Sequence, residues 1–172
     1  IHTANRRLRQ MCIRDRLLMV MAAAMPIAFW AWVVLLNNFT VEIASFTGKE
    51  IGILQSLREV PGFLSFLVVY LLLIIAEQRL ALLSLFILGV GVALTGYFPT
   101  IIGLYITTVI SSIGFHYYEA CHQSLSLQWL DKKTAPERMG LIYSVASVAK
   151  FLVLGAISVS YTHLRAHETQ SD

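Results

Sequence analysis

The chain has 172 residues, of which 57% are hydrophobic and only 13% are charged, whereas an average soluble domain is about one quarter charged. Its apolar residues run in long blocks instead of the separated stripes of a soluble helical bundle, which excludes an ordinary water-soluble domain. The net charge of +3 is small, and the basic residues cluster outside the apolar blocks, as membrane topology favours. The expected environment is therefore the lipid bilayer, and no nucleic-acid partner is expected.

Five apolar blocks follow one another along the chain. Crossing a hydrocarbon core about 30 Å thick takes about 20 apolar helical residues. The blocks that are long enough are Leu17–Leu36, Ile51–Ile75, Leu80–Phe98, Ile101–Trp129 and Met139–Ser158. Helices are required because unpaired backbone groups cannot face lipid. The sequence therefore predicts an all-α polytopic bundle of about five transmembrane helices joined by short connections.

The two ends of the chain differ in character from these blocks. The runs "MCIRDR" (Met11–Arg16) and "VSYTHLRAHET" (Val159–Thr169) resemble translated sequencing-adapter read-through. We therefore expect residues 1–16 and 159–172 to carry no biological information. The alternatives are a basic cytoplasmic tail at the first end and a polar loop at the second. The transmembrane bundle is expected within residues 17–158.

Lysine and arginine in the short connections predict the orientation. Arg79, Lys132, Lys133 and Arg138 lie in the second and fourth connections, whereas the first and third carry only Lys49. Short loops rich in Lys and Arg remain in the cytoplasm. The second and fourth connections and the N-terminus are therefore expected on the cytoplasmic side.

Three of the five spans carry polar stripes at helical spacing. The stripes consist of Gln55, Arg58, Glu59 and Gly62 on the second span; Ser112, His116, Glu119 and Gln123 on the fourth, with His122 beside them; and Tyr143, Ser147 and Lys150 on the fifth. A charge at the bilayer centre costs about 2.5–3.5 kcal/mol on insertion scales, so such groups face the interior of a bundle or a wet cavity. The sequence therefore predicts a shared polar space lined by Arg58, Glu59, His116, Glu119, His122 and Lys150.

The third span has no ionisable residue between Leu80 and Phe98. Its Gly89, Gly91 and Gly96 predict close contact with neighbouring backbones, since small residues let membrane helices approach. We expect it to be a peripheral packing helix.

Arg58 and Glu59 are adjacent in sequence, so their side chains leave a helix about 100° apart. We expect them not to pair well with each other. The expected partners are Glu119 or solvent for Arg58, and Lys150 or a histidine for Glu59. Pro61 removes a helical hydrogen bond and Gly62 permits a bend, so the second span is expected to break or kink beside its charges.

Other readings of these charges stay open at this point. They could be ion pairs that hold helices together, or groups that snorkel to the headgroups. A membrane-embedded enzyme could use Glu119 and the histidines. His116 and His122 lie six residues apart, about 240° around a helix, which does not suit one shared metal ion. We therefore expect no metal or cofactor, and no enzyme activity.

Two segments resemble the major facilitator superfamily of transporters. "LDKKTAPERMGLIYSVASVAKFLVLG" (Leu130–Gly155) resembles that family's cytoplasmic connection into helix five, and "IIAEQRLALLS" (Ile74–Ser84) resembles its signature loop between helices two and three. Glu77 and Arg79 stand near the acidic and basic positions of that loop, which implies a role in a cytoplasmic gate.

The resemblance implies a fold of two six-helix halves with the solute bound between them. This chain would supply five helices of the N-terminal half, and the C-terminal half would be its missing partner. The implied function is secondary transport of a small polar or charged solute across the bacterial inner membrane by alternating access. Glu119 or His116 would couple a proton to transport, and Trp30 and Trp32 would add an aromatic wall or an interfacial anchor.

Overall fold

The computed structural model describes the backbone of residues 2–168 and the side chains of residues 13–162. The secondary structure within this part is entirely helical. Its elements are α1 (His2–Glu42), α2 (Gly48–Phe63), a 3₁₀ helix (Leu64–Leu67), α3 (Val68–Leu72), α4 (Glu77–Thr95), α5 (Ile101–Trp129) and α6 (Ala135–Glu168). This confirms the predicted all-α fold class.

Five stretches of the described helices are long and apolar enough to cross a membrane. They are Ile13–Glu42, Gly48–Leu72, Glu77–Thr95, Ile101–Trp129 and Ala135–Thr162. The chain is therefore a polytopic integral membrane protein with five candidate spans, as the apolar blocks predict.

The helix ends differ from the predicted blocks mainly where polar residues continue a helix. Helix α1 runs on through Asn37 to Glu42 instead of ending at Leu36. The hydroxyl of Thr40 donates to the carbonyl of Asn37 at 2.8 Å, so this polar turn satisfies its own hydrogen bond. Helix α4 ends at Thr95, three residues before the end of the predicted block at Phe98. Ser45, which lies between α1 and α2, has a positive φ of 52°.

Helix α6 continues beyond Ser158 as far as Glu168, and α1 includes the run that ends at Arg16. The expectation that residues 1–16 and 159–172 carry no biological information stays a prediction. Residues 1 and 169–172, and the side chains of residues 1–12 and 163–172, lie outside the described part of the chain.

The second span is broken, as predicted. Pro61 lies inside α2, and the α-helix gives way to the 3₁₀ helix Leu64–Leu67 before α3 resumes the span. Proline has no N–H to donate to the preceding turn, and its ring crowds the carbonyl four residues earlier, so a change of helix type soon after it is expected.

The chain divides into two compact units. The terminal unit consists of residues 1–35 and 128–172, and the central unit of Leu36–Leu127. In the terminal unit, Leu18 and Ala22 of α1 form a buried cluster with Leu130 and Ile142. Farther along the same two helices, Trp30 lies against Lys150. The order of these contacts shows that α1 and α6 run in the same direction.

Small residues bring α4 and α5 of the central unit into close contact. A Cβ atom at Gly91 would lie 2.7 Å from the backbone nitrogen of Ser111, and one at Gly114 would lie 2.6 Å from the carbonyl oxygen of Ser84. The contacts run in opposite order along the two helices, so α4 and α5 are antiparallel. They pack backbone to backbone, the arrangement that glycine and serine permit in membranes.

The predicted role of glycine on the third span is confirmed for Gly91 and wrong for Gly89 and Gly96. Nothing lies within 4 Å of a Cβ atom placed at Gly89 or Gly96. Gly89 is two residues from Gly91, about 200° around the helix, and therefore points away from α5. The second glycine that allows this close contact is Gly114 of α5.

Candidate functional site

Five ionisable residues lie in the middle third of their spans. Arg58 and Glu59 are ten and eleven residues into the span Gly48–Leu72, His116 and Glu119 are central in Ile101–Trp129, and Lys150 is central in Ala135–Thr162. Burial in hydrocarbon without a partner is costly at this depth, so the surroundings of each group indicate what it does.

Helices α2 and α5 of the central unit meet along a polar seam. The Tyr105 hydroxyl donates to the carbonyl of Glu50 at 3.3 Å, and the Ser112 hydroxyl donates to the carbonyl of Arg58. One turn farther along both helices, the imidazole of His116 packs against Gly62, where a Cβ atom would lie 2.7 Å from Cε1. These contacts follow the same order on both helices, so α2 and α5 are parallel.

This seam brings together residues of two predicted polar stripes. Ser112 and His116 of α5 face the backbone of α2 at Arg58 and Gly62, so Gly62 provides the close approach that its lack of a side chain permits. The ring of His116 also makes an edge contact with Phe115, with centroids 5.0 Å apart. His116 is thus held beside the residues that immediately precede the break in the second span.

The expectation that Arg58 and Glu59 do not pair is wrong. Arg58 Nη2 lies 3.0 Å from Glu59 Oε1, and Arg58 Nε donates to the same oxygen at 3.1 Å. The Cβ atoms diverge as helical geometry requires, but both side chains are long enough to fold around the helix and meet. The side chain of Arg58 is 23% exposed and that of Glu59 is 64% exposed. The positive charge of Arg58 is therefore balanced from its own helix, not by Glu119.

The remaining predicted residues of α5, Glu119 and His122, differ in their surroundings. The side chain of Glu119 is exposed. His122 stacks on the buried ring of Tyr118, with centroids 5.7 Å apart and an interplanar angle of 23°. Among residues 13–162, no group of three His, Cys, Asp or Glu side chains is arranged to hold a metal ion.

Glu77 and Arg79 begin α4 with different surroundings. Glu77 is half-buried, with one carboxylate oxygen shielded from solvent. A carboxylate in the first turn of a helix is favoured by the positive end of the helix dipole. Arg79, two residues later, is exposed. The two residues therefore do not form a single buried cluster.

Lys150 of the terminal unit is held by an aromatic ring. Its Nζ lies 3.6 Å from the centroid of the Trp30 ring on α1, and the side chain is half-buried. A cation–π contact contributes about 0.5–2 kcal/mol, which is less than the cost of about 2.5–3.5 kcal/mol of a charge at the bilayer centre. Lys150 itself takes part in no ion pair within residues 13–162, where the pairs seen at Arg58 and Arg138 involve other carboxylates.

An apolar groove of about 630 Å³ lies between the same two helices. Its walls include Ala23 and Ile27 of α1 and Ser144, Val148, Ala149 and Val153 of α6. The sequence does not predict this groove, although small residues at spacings of three and four on α6 are a signal for a shallow helix face. The contact between Trp30 and Lys150 was likewise not predicted, since it depends on how α1 and α6 pack.

The fold and these side chains define a polytopic helical membrane protein with ionisable groups at the centre of three of its spans. Comparison of the chain with protein-family models, with curated proteins and with solved structures found no match.

Proposed function

We propose that this chain is the N-terminal part of a secondary transporter of the major facilitator type. It moves a small polar or charged solute across a bacterial inner membrane by alternating access, with its N-terminus in the cytoplasm, and it requires a C-terminal half to do so. It is a transporter and not an enzyme. The observation that carries the proposal is the polar seam of α2 and α5, where Arg58, Glu59 and His116 lie beside a broken span.

A break in a membrane helix next to ionisable groups supports this proposal on physical grounds. The backbone N–H groups at the two ends of the 3₁₀ segment, of Leu64 and Val68, still bond to carbonyls of the same span, and a stretch of 3₁₀ helix inside a longer helix often marks a functional hinge. Transporters use such interrupted helices to bind substrates and ions at mid-membrane depth. The 3₁₀ helix begins at Leu64, two residues after Gly62, which itself contacts His116.

The pairing of Arg58 weighs against a purely structural role for these charges. An ion pair that holds a bundle together must join two helices, whereas Arg58 and Glu59 are neighbours on α2. The contacts that do join α2 to α5 are made by Ser112, Tyr105 and Gly62, which carry no charge, and by His116. The packing of these helices therefore does not explain why two charges lie in the span.

The proposal gives roles to the other candidate residues. Imidazole and carboxylate side chains are common proton donors and acceptors, so His116, with Glu119 three residues later, is the proposed carrier of a coupling proton. His122 belongs to the same helix, nearer its end, and Lys150 supplies a positive charge to the solute pathway. Glu77 and Arg79, at the start of α4, form the proposed cytoplasmic gate.

Water access to the exposed face of α5 provides a direct test. In a cysteine-free background (Cys12→Ser with Cys121→Ala), we expect Glu119→Cys to react with a membrane-impermeant thiol reagent. The matched control is Phe86→Cys, an exposed position at the centre of α4, which has no charged side chain beyond its first turn. We expect no reaction there, because a bilayer excludes the charged reagent.

Two results would separate this proposal from its competitors. Equal protection of Glu119→Cys and Phe86→Cys would contradict a wet pathway. In the complete transporter, Glu119→Gln should lower solute uptake and leave the unfolding temperature unchanged. Unchanged uptake with reduced stability would instead indicate that Glu119 only supports the fold.

A further inference from the structure

The polar stripe of α5 is covered by α2 over part of its length and uncovered beyond it. Ser112 is buried and His116 is half-buried where they meet the backbone of α2. Glu119 and Gln123 continue the same face of α5 at helical spacing, yet both are exposed. The cover that α2 provides therefore ends between His116 and Glu119.

The second span changes its helix type at the same level along α5. The hydrogen bond between Ser112 and Arg58 joins residues 54 positions apart, and α2 and α5 are parallel. A straight α-helix that kept this offset would place Ser65 beside Glu119. Ser65 instead belongs to the 3₁₀ helix. The α-helix is therefore interrupted at the level where the polar stripe becomes exposed.

A 3₁₀ segment also turns the part of the chain that follows it. Each residue advances about 120° around a 3₁₀ helix and about 100° around an α-helix, and it rises about 2.0 Å instead of about 1.5 Å. Over the four residues Leu64–Leu67, the difference amounts to about 80° of rotation and about 2 Å of length. Conversion of these residues between the two helix types would therefore turn a different face of α3 toward α5.

Few contacts hold this part of the span in place. Of residues 64–72, all of which the structure describes, only Val68 is buried. The neighbouring segments are fixed more firmly, since α2 meets α5 up to Gly62 and α4 packs backbone to backbone on α5 at Gly114. A segment with few buried apolar contacts moves at a lower cost in free energy than its surroundings. The part that can move is residues 64–76, between these two contacts.

We propose that the 3₁₀ helix Leu64–Leu67 is a hinge, and that residues 64–76 form a flap that opens and closes over the polar stripe of α5. The structure corresponds to the open form, in which Glu119 and Gln123 are exposed. In the closed form the hinge is α-helical and the flap lies along α5, with Ser65 beside Glu119. As a movement the inference stands without transport. As a gate over the cytoplasmic end of a solute pathway it rests on the proposed function.

Distances between spin labels on the flap and on α5 test the hinge in the purified protein in nanodiscs. In the cysteine-free background, the flap pair is Tyr70→Cys with Gln123→Cys. The control pair is Ile53→Cys with Ile106→Cys, two exposed positions on α2 and α5 before the break. Pulsed double electron–electron resonance should give a broader distribution of distances for the flap pair than for the control pair, because the flap occupies two positions.

Pro61→Ala tests the position of the hinge. The substitution supplies the N–H group that the helical ladder lacks, so it should favour the α-helical, closed form. We expect it to shift the flap pair to a shorter distance and to leave the control pair unchanged. Equal widths of the two distributions before the substitution, an unchanged flap distance after it, or an equal shift of both pairs would each overturn the hinge.

Thiol labelling separates the hinge from transport. In the Pro61→Ala background, the impermeant reagent should react with Glu119→Cys about tenfold more slowly, in proportion to the smaller open population. If Glu119→Cys is sealed from water in both backgrounds while Pro61→Ala shifts the flap pair, the hinge stands and the wet pathway of the transport proposal is refuted. If Glu119→Cys reacts equally fast in both backgrounds, the flap does not cover Glu119, and the transport proposal is unaffected.

Discussion

In the central unit, the cation Arg58 has a carboxylate partner 3.0 Å away on its own helix, whereas in the terminal unit the cation Lys150 has an indole ring 3.6 Å from its ammonium. The charge of Arg58 is balanced by a carboxylate of the same chain. The charge of Lys150 is only attracted by the face of an uncharged ring. Both lie at mid-span. The comparison indicates that a cation at membrane depth can be balanced by a carboxylate on its own helix or held by an uncharged aromatic ring.

The packing of the two units differs in the same way. In the central unit, α4 and α5 meet at Gly91 and Gly114, so their backbones touch. In the terminal unit, α1 and α6 are joined by larger side chains such as Leu18 and Ile142, and an apolar groove remains between them. Two helices whose backbones touch leave no room for a ligand between them. Helices that are held apart by side chains of different sizes leave a groove. The predictions that follow test each side of this comparison.

The largest expected effect is on the α4–α5 contact. Gly114→Ala should lower the free energy of unfolding by about 2–3 kcal/mol, because the new methyl group meets the backbone of Ser84 and Leu88, which cannot rotate away. The measurement is denaturation of the purified protein in mixed micelles. Gly89→Ala is the matched control, since its methyl group has open space; it should change stability by less than about 1 kcal/mol. Equal effects of the two variants would show that α4 and α5 do not pack as described.

Arg58→Leu tests whether the pair in the central unit is locally neutral. Removal of the guanidinium leaves Glu59 without its partner at mid-span, so we expect a loss of about 1–2 kcal/mol in the same assay, less than for a fully buried pair because the Glu59 side chain is 64% exposed. The double variant Arg58→Leu with Glu59→Leu removes both charges and should recover most of the loss. A double variant as unstable as the single one would mean that Arg58 acts through contacts other than Glu59.

Gly62→Ala probes the seam between α2 and α5. The added methyl group would lie 2.7 Å from Cε1 of His116, but an imidazole can shift where a backbone cannot, so the expected cost is about 1 kcal/mol. His116→Ala should remove the clash, so the cost of Gly62→Ala should vanish in that background. A double-mutant cycle measures this coupling. If the stability effects of the two substitutions simply add, His116 does not contact Gly62.

The sequence predicts the features of this fold that depend on local chemistry. The length of each apolar stretch can be read directly from consecutive residues, so the sequence predicts the five spans. The break after Pro61 follows because proline cannot complete the helical ladder. The close approach at Gly91 follows from glycine composition, but composition cannot tell which face meets a neighbour, so Gly89 was assigned the same role wrongly.

The features that the sequence does not predict depend on side-chain length and helix partners. The angle between the Cβ directions of Arg58 and Glu59 argues against their pairing, yet two long side chains can close that angle. The stacking of Lys150 on Trp30 joins residues 120 positions apart, and no periodicity within one helix reveals it. For the same reason the shared polar space that would unite Arg58, Glu119 and Lys150 stays a prediction.

Lys150→Met should have the smallest effect on stability and the opposite sign. The folded terminal unit holds the ammonium half-buried at mid-span, with only an aromatic partner, whereas an unfolded helix lets lysine reach water. Methionine has a similar length, carries no charge and packs well on indole, so the variant should be more stable by about 0.5–1 kcal/mol. Lys150→Arg keeps the charge and the ring contact and should show no such gain. A loss of stability in Lys150→Met would mean that the ammonium is balanced in the folded protein as fully as Arg58 is.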